Sequence, residues 1–393
     1  MGRIYLDNNA TTPVRPEVAE ALARMLKGCY GNPSTLYCIG QEAHVEMEHA
    51  RDVMAEILGC DREEVIFTSG GTESDNLAVF GVARALKKKG NHIITTKIEH
   101  HAVLNPCKAL EKEGWSVTYL PVDGYGMVDP ADVERAITDS TVLISVMHAN
   151  NEVGTIQPIA EIGRLAKARK ITFHTDAVQS FGKLPVKVND LGVDLLSASS
   201  HKIYGPKGVG LLYIRKGTKI MPIMYGGHQE RSLRPGTENV PGVVGFGRAA
   251  ELMLAEGEAE NARLMKMRDR LWEGIKANVP HVMLNGHPTK RLSGTLNVIF
   301  EYVEGESIIL SLDEFGICAA SGSACTSDAL EPSHVLSAMG VPVENTHGAL
   351  RFSLGRENTE EDVDKVLEAL PKVVEKLRSF SPIYKDFLKG AKA

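Results

Sequence analysis

The sequence predicts an α/β fold with a mostly parallel sheet, followed by a smaller α+β unit. Three observations predict it. Through the first part of the chain, short apolar runs bounded by turn residues alternate with stretches of helical spacing. A long, charged helical pattern then covers residues 243–279, and after it the order changes to strand, helix, strand, strand, helix. Alternation of the first kind implies right-handed crossovers and a sheet covered on both faces, whereas the later order implies an α+β arrangement.

In chain order, residues 17–27 and 40–58 have helical spacing. Runs at 65–68, 92–95, 117–121, 142–147 and 171–174 read as strands, with helical stretches between them at 74–89, 101–113, 130–137 and 159–169. Two further strand-like runs, 193–196 and 209–214, flank the turn Ser199-Ser200-His201-Lys202. Beyond the long pattern, 295–300, 317–320 and 350–354 read as strands, and 306–315 and 359–377 as helices. The last stretch, 379–393, is weakly patterned and is expected to be mobile. The change of order places a large domain at about 16–260 and a smaller one at about 261–393.

A chain of 393 residues with 43% apolar side chains has enough material for two or three domains with a large core. Net charge is −6 and the basic residues are dispersed apart from Lys87-Lys88-Lys89, which ends a helical pattern, so neither a nucleic-acid nor a membrane partner is expected. The N-terminal residues lack an apolar signal region, and a soluble, cytoplasmic protein is the expectation. Six cysteines (Cys29, Cys38, Cys60, Cys107, Cys318, Cys325) are too few for a disulfide framework and form no Cys-x-x-Cys pair.

Open parallel sheets bind ligands beyond the carboxyl ends of their strands, so the residues that follow each strand are the site candidates. After 65–68 comes Ser69-Gly70-Gly71-Thr72-Glu73-Ser74, which opens a helix. It serves either as a phosphate cradle, through free N–H groups and the positive end of the helix dipole, or as a glycine-rich cap. His100 follows 92–95; such a histidine usually makes a structural hydrogen bond, although a flat imidazole also stacks on a ring and moves protons. Asn150 and Asn151 follow 142–147 and offer amides to a polar ring substituent. Asp176 follows 171–174, where an N-cap is the commoner use. Lys202 lies in the turn before 209–214; most loop lysines are solvated charges.

Together these loops have one economical explanation. A lysine that forms an imine, a carboxylate for a ring nitrogen, a glycine-rich cradle and a stacking histidine are what pyridoxal 5'-phosphate requires. The carboxylate keeps the pyridine nitrogen protonated, so the ring accepts electrons from a carbanion.

At these residues the chain resembles a known family. Leu6-Asp7-Asn8-Asn9-Ala10-Thr11-Thr12, Gly31-Asn32-Pro33-Ser34, Thr68-Ser69-Gly70-Gly71-Thr72-Glu73-Ser74, Asn150-Asn151-Glu152-Val153-Gly154 and Ser199-Ser200-His201-Lys202 follow one another in its order. So do Arg234-Pro235-Gly236-Thr237-Glu238-Asn239, Ser321-Gly322-Ser323-Ala324-Cys325-Thr326-Ser327 and Arg351-Phe352-Ser353-Leu354-Gly355-Arg356. This order is similar to that of the class V, fold-type I pyridoxal phosphate enzymes, and within them the cysteine desulfurases of the NifS/IscS kind; the resemblance runs essentially end to end.

The resemblance implies a large domain on a mostly parallel seven-stranded sheet, a smaller α+β domain carrying a catalytic cysteine loop at about 319–333, and an N-terminal segment 1–15 packed with the small domain. Lys202 would hold the cofactor, Asp176 would pair with the pyridine nitrogen, Gln179 would bond the phenolate oxygen, Asn151 would orient the same region and His100 would stack on the ring. Phosphate would be held by Gly71, Thr72, Ser199 and His201, with Thr237 reaching in from the second subunit of a homodimer. Arg351, assisted by Asn32, would bind the substrate carboxylate through the planar fork of its guanidinium.

Cys325 decides the reaction. Its small and polar neighbours read as an exposed loop, which favours a reactive thiolate over the buried packing role that suits Cys318. L-Cysteine would lose its sulfur to Cys325 as a persulfide and leave as L-alanine, with Lys202 moving the α proton and His100 the substrate thiol proton. The resemblance implies delivery of the sulfur to an iron–sulfur scaffold protein of the IscU/NifU type, with Cys325 as a transient ligand of a shared two-iron cluster.

Three rivals stand beside this reading. A class V aminotransferase would share Lys202, Asp176 and the cradle but would have no use for the cysteine loop, and selenocysteine lyase is a nearer rival. A metal-binding scaffold protein would draw on His44 and His49, His100 and His101, or Cys318 and Cys325, whose spacings match no zinc pattern. Three departures from the family are visible: Tyr37-Cys38 where relatives carry a histidine, His101 where lysine is frequent, and Gly71 for a frequent alanine, an exchange expected to cost little.

Overall fold

The computed structural model describes residues 2–321 and 332–390. Its largest sheet has seven strands in the order Val65–Thr68, Gly210–Ile214, Leu195–Ser199, Thr172–Asp176, Thr141–Ser145, His92–Thr96, Ser116–Leu120. All run parallel except Gly210–Ile214, which is antiparallel to both neighbours. The exception follows from the connection: a loop over residues 200–209 with a single helical turn and no covering helix joins it to Leu195–Ser199, and a parallel neighbour would need a full crossover. Five of the seven strands are buried along their whole length, which accounts for their near-continuous apolar runs.

Apolar clusters cover both faces of this sheet. One gathers Met54, Leu58, Phe173, Phe181 and Phe246; the other gathers Leu77, Val82, Val103 and Leu110. The helix Gly71–Leu86 lies across the strands between Val65–Thr68 and its sequence successor His92–Thr96. Its first turn thereby arrives at the carboxyl end of the sheet. Gly210 permits this approach, because a Cβ there would stand 2.7 Å from the Gly70 Cα.

The long helix predicted at 243–279 spans Val240–Asn278, with the Asn239 side chain accepting the Gly242 N–H at its start. Phe246, Ala249 and Ala250 belong to the core of the seven-stranded sheet, whereas Leu264, Met267, Leu271 and Ile275 belong to another. That second core surrounds a three-stranded antiparallel sheet with Thr295–Phe300 between Val282–Asn285 and Ala349–Ser353. Helices Gly305–Asp313 and Glu360–Phe380 cover it, the latter opened by a reciprocal Thr359–Asp362 cap. Ile4 and Leu6 pack into the same core, and Ile4–Tyr5 pairs in parallel with Ile317–Cys318.

Several expectations are corrected. The terminal stretch contains the helix Pro382–Gly390, seated by Phe387 and Tyr384, whose rings lie 4.8 and 5.6 Å from that of Tyr302. The strand expected at 317–320 is only Ile317–Cys318, and the edge strand Val282–Asn285, with the short apolar run Val282-Met283-Leu284 and one buried residue, was not expected. No helix among the described residues is long and apolar enough to cross a membrane.

Candidate active site

A cleft of about 380 Å³ opens at the carboxyl ends of the central strands, and nine of the expected site residues line it: Gly71, Thr72, His100, Asn151, Asp176, Gln179, Ser199, His201 and Lys202, joined by Arg351 from the other sheet. Lys202 ends the helical turn Ser200–Lys202. The chain is thrown back behind it by Tyr204, at φ 65°, and by Gly205, where a Cβ would meet the Ser200 Oγ at 2.0 Å. The Lys202 Nζ donates to the backbone carbonyls of Asn9 and Ala10.

Asp176 ends its strand and is 5% exposed. One oxygen accepts the Val178 N–H at 2.8 Å, so the residue caps the following turn as well as facing the cleft. Beneath it lies Asp75, 1% exposed, with Oδ1 lacking a hydrogen-bond partner. His174 stands 3.6 Å from that oxygen, and its ring is bonded by Ser145 at 2.9 Å and Ser197 at 3.0 Å. Burial lifts Asp176 to about 6, against the Val178 bond and the Lys202 charge. Burial and then the charge of Asp176 push Asp75 well above the usual carboxylate range. Burial and mutual repulsion disfavour a charge on both carboxyls at once. His174 is held neutral by burial.

His100 caps the helix His101–Lys112: its Nδ1 accepts the Ala102 N–H at 3.1 Å. Burial, with help from Lys202, lowers its pKa to about 4. The neutral ring therefore carries its proton on Nε2 and is a donor there. His101 also lines the cleft and packs on His334, ring centres 4.8 Å apart; the His334 Nε2 donates to the Glu99 carbonyl.

The first turn of Gly71–Leu86 meets Ser199, His201 and Lys207 in an adjoining cleft. Backbone N–H groups at a helix start, with a hydroxyl, an imidazole and a lysine, form a donor set for an anion. Gly71 corrects one expectation here. A Cβ at that position would stand 2.6 Å from the Val178 Cγ2, so an alanine is accommodated only if Val178 moves.

Arg351, 3% exposed, reaches the other wall from Ala349–Ser353. It donates to the Asn151 carbonyl at 3.0 Å and pairs with Asp7 at 2.8 Å, while Nε has no partner. Glu152 beside it accepts the Ser333 hydroxyl at 2.6 Å, and burial raises it to about 7 against the pull of Arg351. Two expected residues do not join the cleft within this chain. Asn32 is exposed, its Oδ1 taken by the Ser34 N–H, and Thr237 is exposed. Cys325 lies outside the described residues.

Asp75, Glu152, Asn9 and His334 were not picked from the sequence. Asp75 carried no usable signal, because it stands beside Glu73, Ser74 and Asn76 in the polar first turn of its helix. Asn9 carried none, because it acts through its backbone carbonyl. Among the described residues no group of three or more His, Cys, Asp or Glu side chains is arranged to hold a metal ion, so the histidine sets of the scaffold rival do not assemble.

The family model described as aminotransferase class V matches residues 4–366. A cysteine desulfurase IscS of Methanosarcina thermophila is 58% identical over 380 residues, covering 97% of this chain and 94% of its own. A solved NifS-like protein superposes with a TM-score of 0.90 at 40% identity, covering 95% of this chain and 100% of its own. A solved structure of SspA in complex with cysteine superposes with a TM-score of 0.81 at 37% identity, covering 89% and 98%.

Proposed function

The chain belongs to the class V aminotransferase family and, within it, to the cysteine desulfurases, and on that premise we propose how its own residues divide the removal of sulfur from L-cysteine. The observation that carries the reading is the convergence of Lys202, Asp176 and the first turn of Gly71–Leu86 on one cleft with Arg351.

Pyridoxal phosphate is the cofactor, and the cleft fits it. Asp176 is a buried acid with only one oxygen committed, the cradle is a donor set shaped for a phosphate, and Lys202 stands between them. When bound, the cofactor supplies an electron sink for the substrate's α carbon. Asp176 would hold the ring nitrogen, Gln179 and Asn151 the phenolate side, and Gly71, Thr72, Ser199 and His201 the phosphate.

The chain's own groups supply the rest. Arg351 binds the substrate carboxylate with its uncommitted Nε–H and the edge of its fork, while Asp7 and the Asn151 carbonyl keep the guanidinium from turning. Lys202 takes the α proton. The Cys325 sulfur forms an S–S bond to the substrate sulfur as the C–S bond breaks, leaving its electron pair on carbon; that carbon takes a proton and departs as alanine. Neutral His100, with its proton on Nε2, sits on the donating side of this traffic.

Other parts of the reading have separate support. A large and a small domain meeting near residue 260 agree with two cores that share the helix Val240–Asn278. Thr237, exposed and outside its own cleft, is free to complete the site of a second copy in a homodimer. Transfer of the persulfide to an iron–sulfur scaffold protein, a shared cluster on Cys325 and a cytoplasmic setting rest on the sequence resemblance and on cysteines too sparse for a disulfide framework.

The test is the visible spectrum of the purified protein before and after L-cysteine, with alanine and sulfide assayed together. The wild type is expected to be yellow and to release alanine. Cys325→Ser is expected to keep the colour and its response to cysteine while losing sustained sulfide release. Sulfide release at the wild-type rate by that variant would remove Cys325 from the reaction.

A further inference from the structure

Gln179 and Lys183 stand four residues apart on consecutive tight turns, closed by Phe181 N–H to the Ala177 carbonyl and by Lys183 N–H to the Ser180 carbonyl. The Lys183 Nζ donates to the Gln179 Oε1 at 3.2 Å, and the Gln179 Nε2 donates to the Asn9 carbonyl at 2.8 Å. The same carbonyl accepts from Lys202. A continuous chain of hydrogen bonds therefore runs from Lys183 through the amide and one peptide oxygen to the catalytic lysine. A peptide carbonyl only accepts, so the bond to Asn9 fixes Nε2 on that side of the Gln179 amide and turns Oε1 toward Lys183, which donates to it.

Lys183 itself lines a second, interior cavity behind Lys202. Burial lowers it to about 7, with the charges of Lys202 and Arg351 acting in the same direction and Glu260, on the long helix, opposing them. Glu260 is engaged by the Tyr204 hydroxyl at 2.6 Å, and farther along the cavity Arg15 and Glu256 neutralise each other at 3.0 Å.

We propose that Lys183 is a positioning residue of the cofactor site, which acts through Gln179 to hold the amide as a donor toward the cofactor's phenolate side and to lower the proton affinity on the Lys202 side. The inference rests on the pyridoxal phosphate reading of the cleft. Its physical content is that a cation behind the site, coupled through an oriented amide, disfavours a further positive charge at the end of Lys202.

The experiment titrates the visible band of the cofactor-loaded, full-length protein with pH. Lys183→Met is expected to raise the midpoint by about one unit, a tenfold change in proton affinity. Lys183→Arg should restore it. Gln179→Met should shift the midpoint in the same direction, and the double variant should shift it no further than Gln179→Met alone, because the lysine acts through the amide. If Lys183→Met does not fold, Lys183→Gln serves in its place. An unchanged midpoint in a variant that melts as the wild type does, or full additivity in the double variant, overturns the proposal. A colourless wild type would instead overturn the cofactor reading itself, so the two failures are distinguishable.

Discussion

Arg351 shows how a residue is prepared before its ligand arrives. Its strand buries it, Asp7 and the Asn151 carbonyl take two of its nitrogens, and one buried N–H remains without a partner. A buried donor left unsatisfied costs about 1–3 kcal/mol, which a substrate carboxylate would recover on the proposed reading. Lysine has neither the fork nor the reach to keep Asp7 and the substrate together. Arg351→Lys is therefore expected to raise KM for L-cysteine at least tenfold, roughly the worth of one hydrogen bond to a charged group, and to leave the visible spectrum unaltered. Steady-state kinetics decide it, and a KM within twofold of the wild type would take Arg351 out of substrate binding.

At the scale of elements, the edge strand Val65–Thr68 matters because the cradle follows it directly. Its position is held by a buried ion pair. The Glu230 carboxylate accepts from Arg51 at 2.7 and 2.9 Å and from the Phe67 N–H at 2.8 Å, and Arg51 also donates to the Val65 carbonyl. The carboxylate is presented by a turn in which Glu230, Arg231 and Ser232 have φ of 41°, 56° and 61°, a left-handed run that non-glycine residues rarely adopt. Removing one partner strands the other in the core. Glu230→Ala is expected to lower unfolding stability by about 3–5 kcal/mol in denaturant titration. A loss below about 1 kcal/mol would mean that Arg51 finds other acceptors.

Over the whole molecule, buried titratable groups set the response to pH. His100, His148 and His201 are each lowered to about 4, with burial as the first cause. An unfolded histidine titrates near 6.5. As pH falls from about 6.5 towards 4 the unfolded chain binds protons that the folded protein refuses, so stability is lost on acidification. Burial raises Glu99 to about 8 and Glu152 to about 7, and these groups act in the opposite sense, losing stability as pH rises from the ordinary carboxylate range through those values. A difference between variants isolates one group. His148, whose Nδ1 is buried without a partner, is suited to this. His148→Leu is expected to reduce the proton uptake on unfolding at pH 5 by about one, read from the slope of unfolding free energy against pH. An identical slope in the variant would show that His148 is charged in the folded state.

Periodicity and turn chemistry in the sequence were sufficient for the alternation of strands and helices and for the long helix, and they placed Asp176 and Lys202 as candidates where an apolar run ends and a loop begins, positions at which both line the cleft. The edge strand Val282–Asn285 and the helix Pro382–Gly390 were beyond that reach. The first is four residues long and the second nine, too short for Val282-Met283-Leu284 or Ile383, Tyr384, Phe387 and Leu388 to be told from loop by pattern alone; pairing with Thr295–Phe300 and ring contacts with Tyr302 decide them. The same limit applied in the cleft. Side-chain chemistry offered His100 and the family resemblance implied Arg351, but Asp75, the Asn9 carbonyl and the Lys183–Gln179 bond depend on what folding brings beside them. Local residue types determine which groups can react; charge sharing, tautomer and proton affinity arise from burial and distance, which only the packed chain possesses.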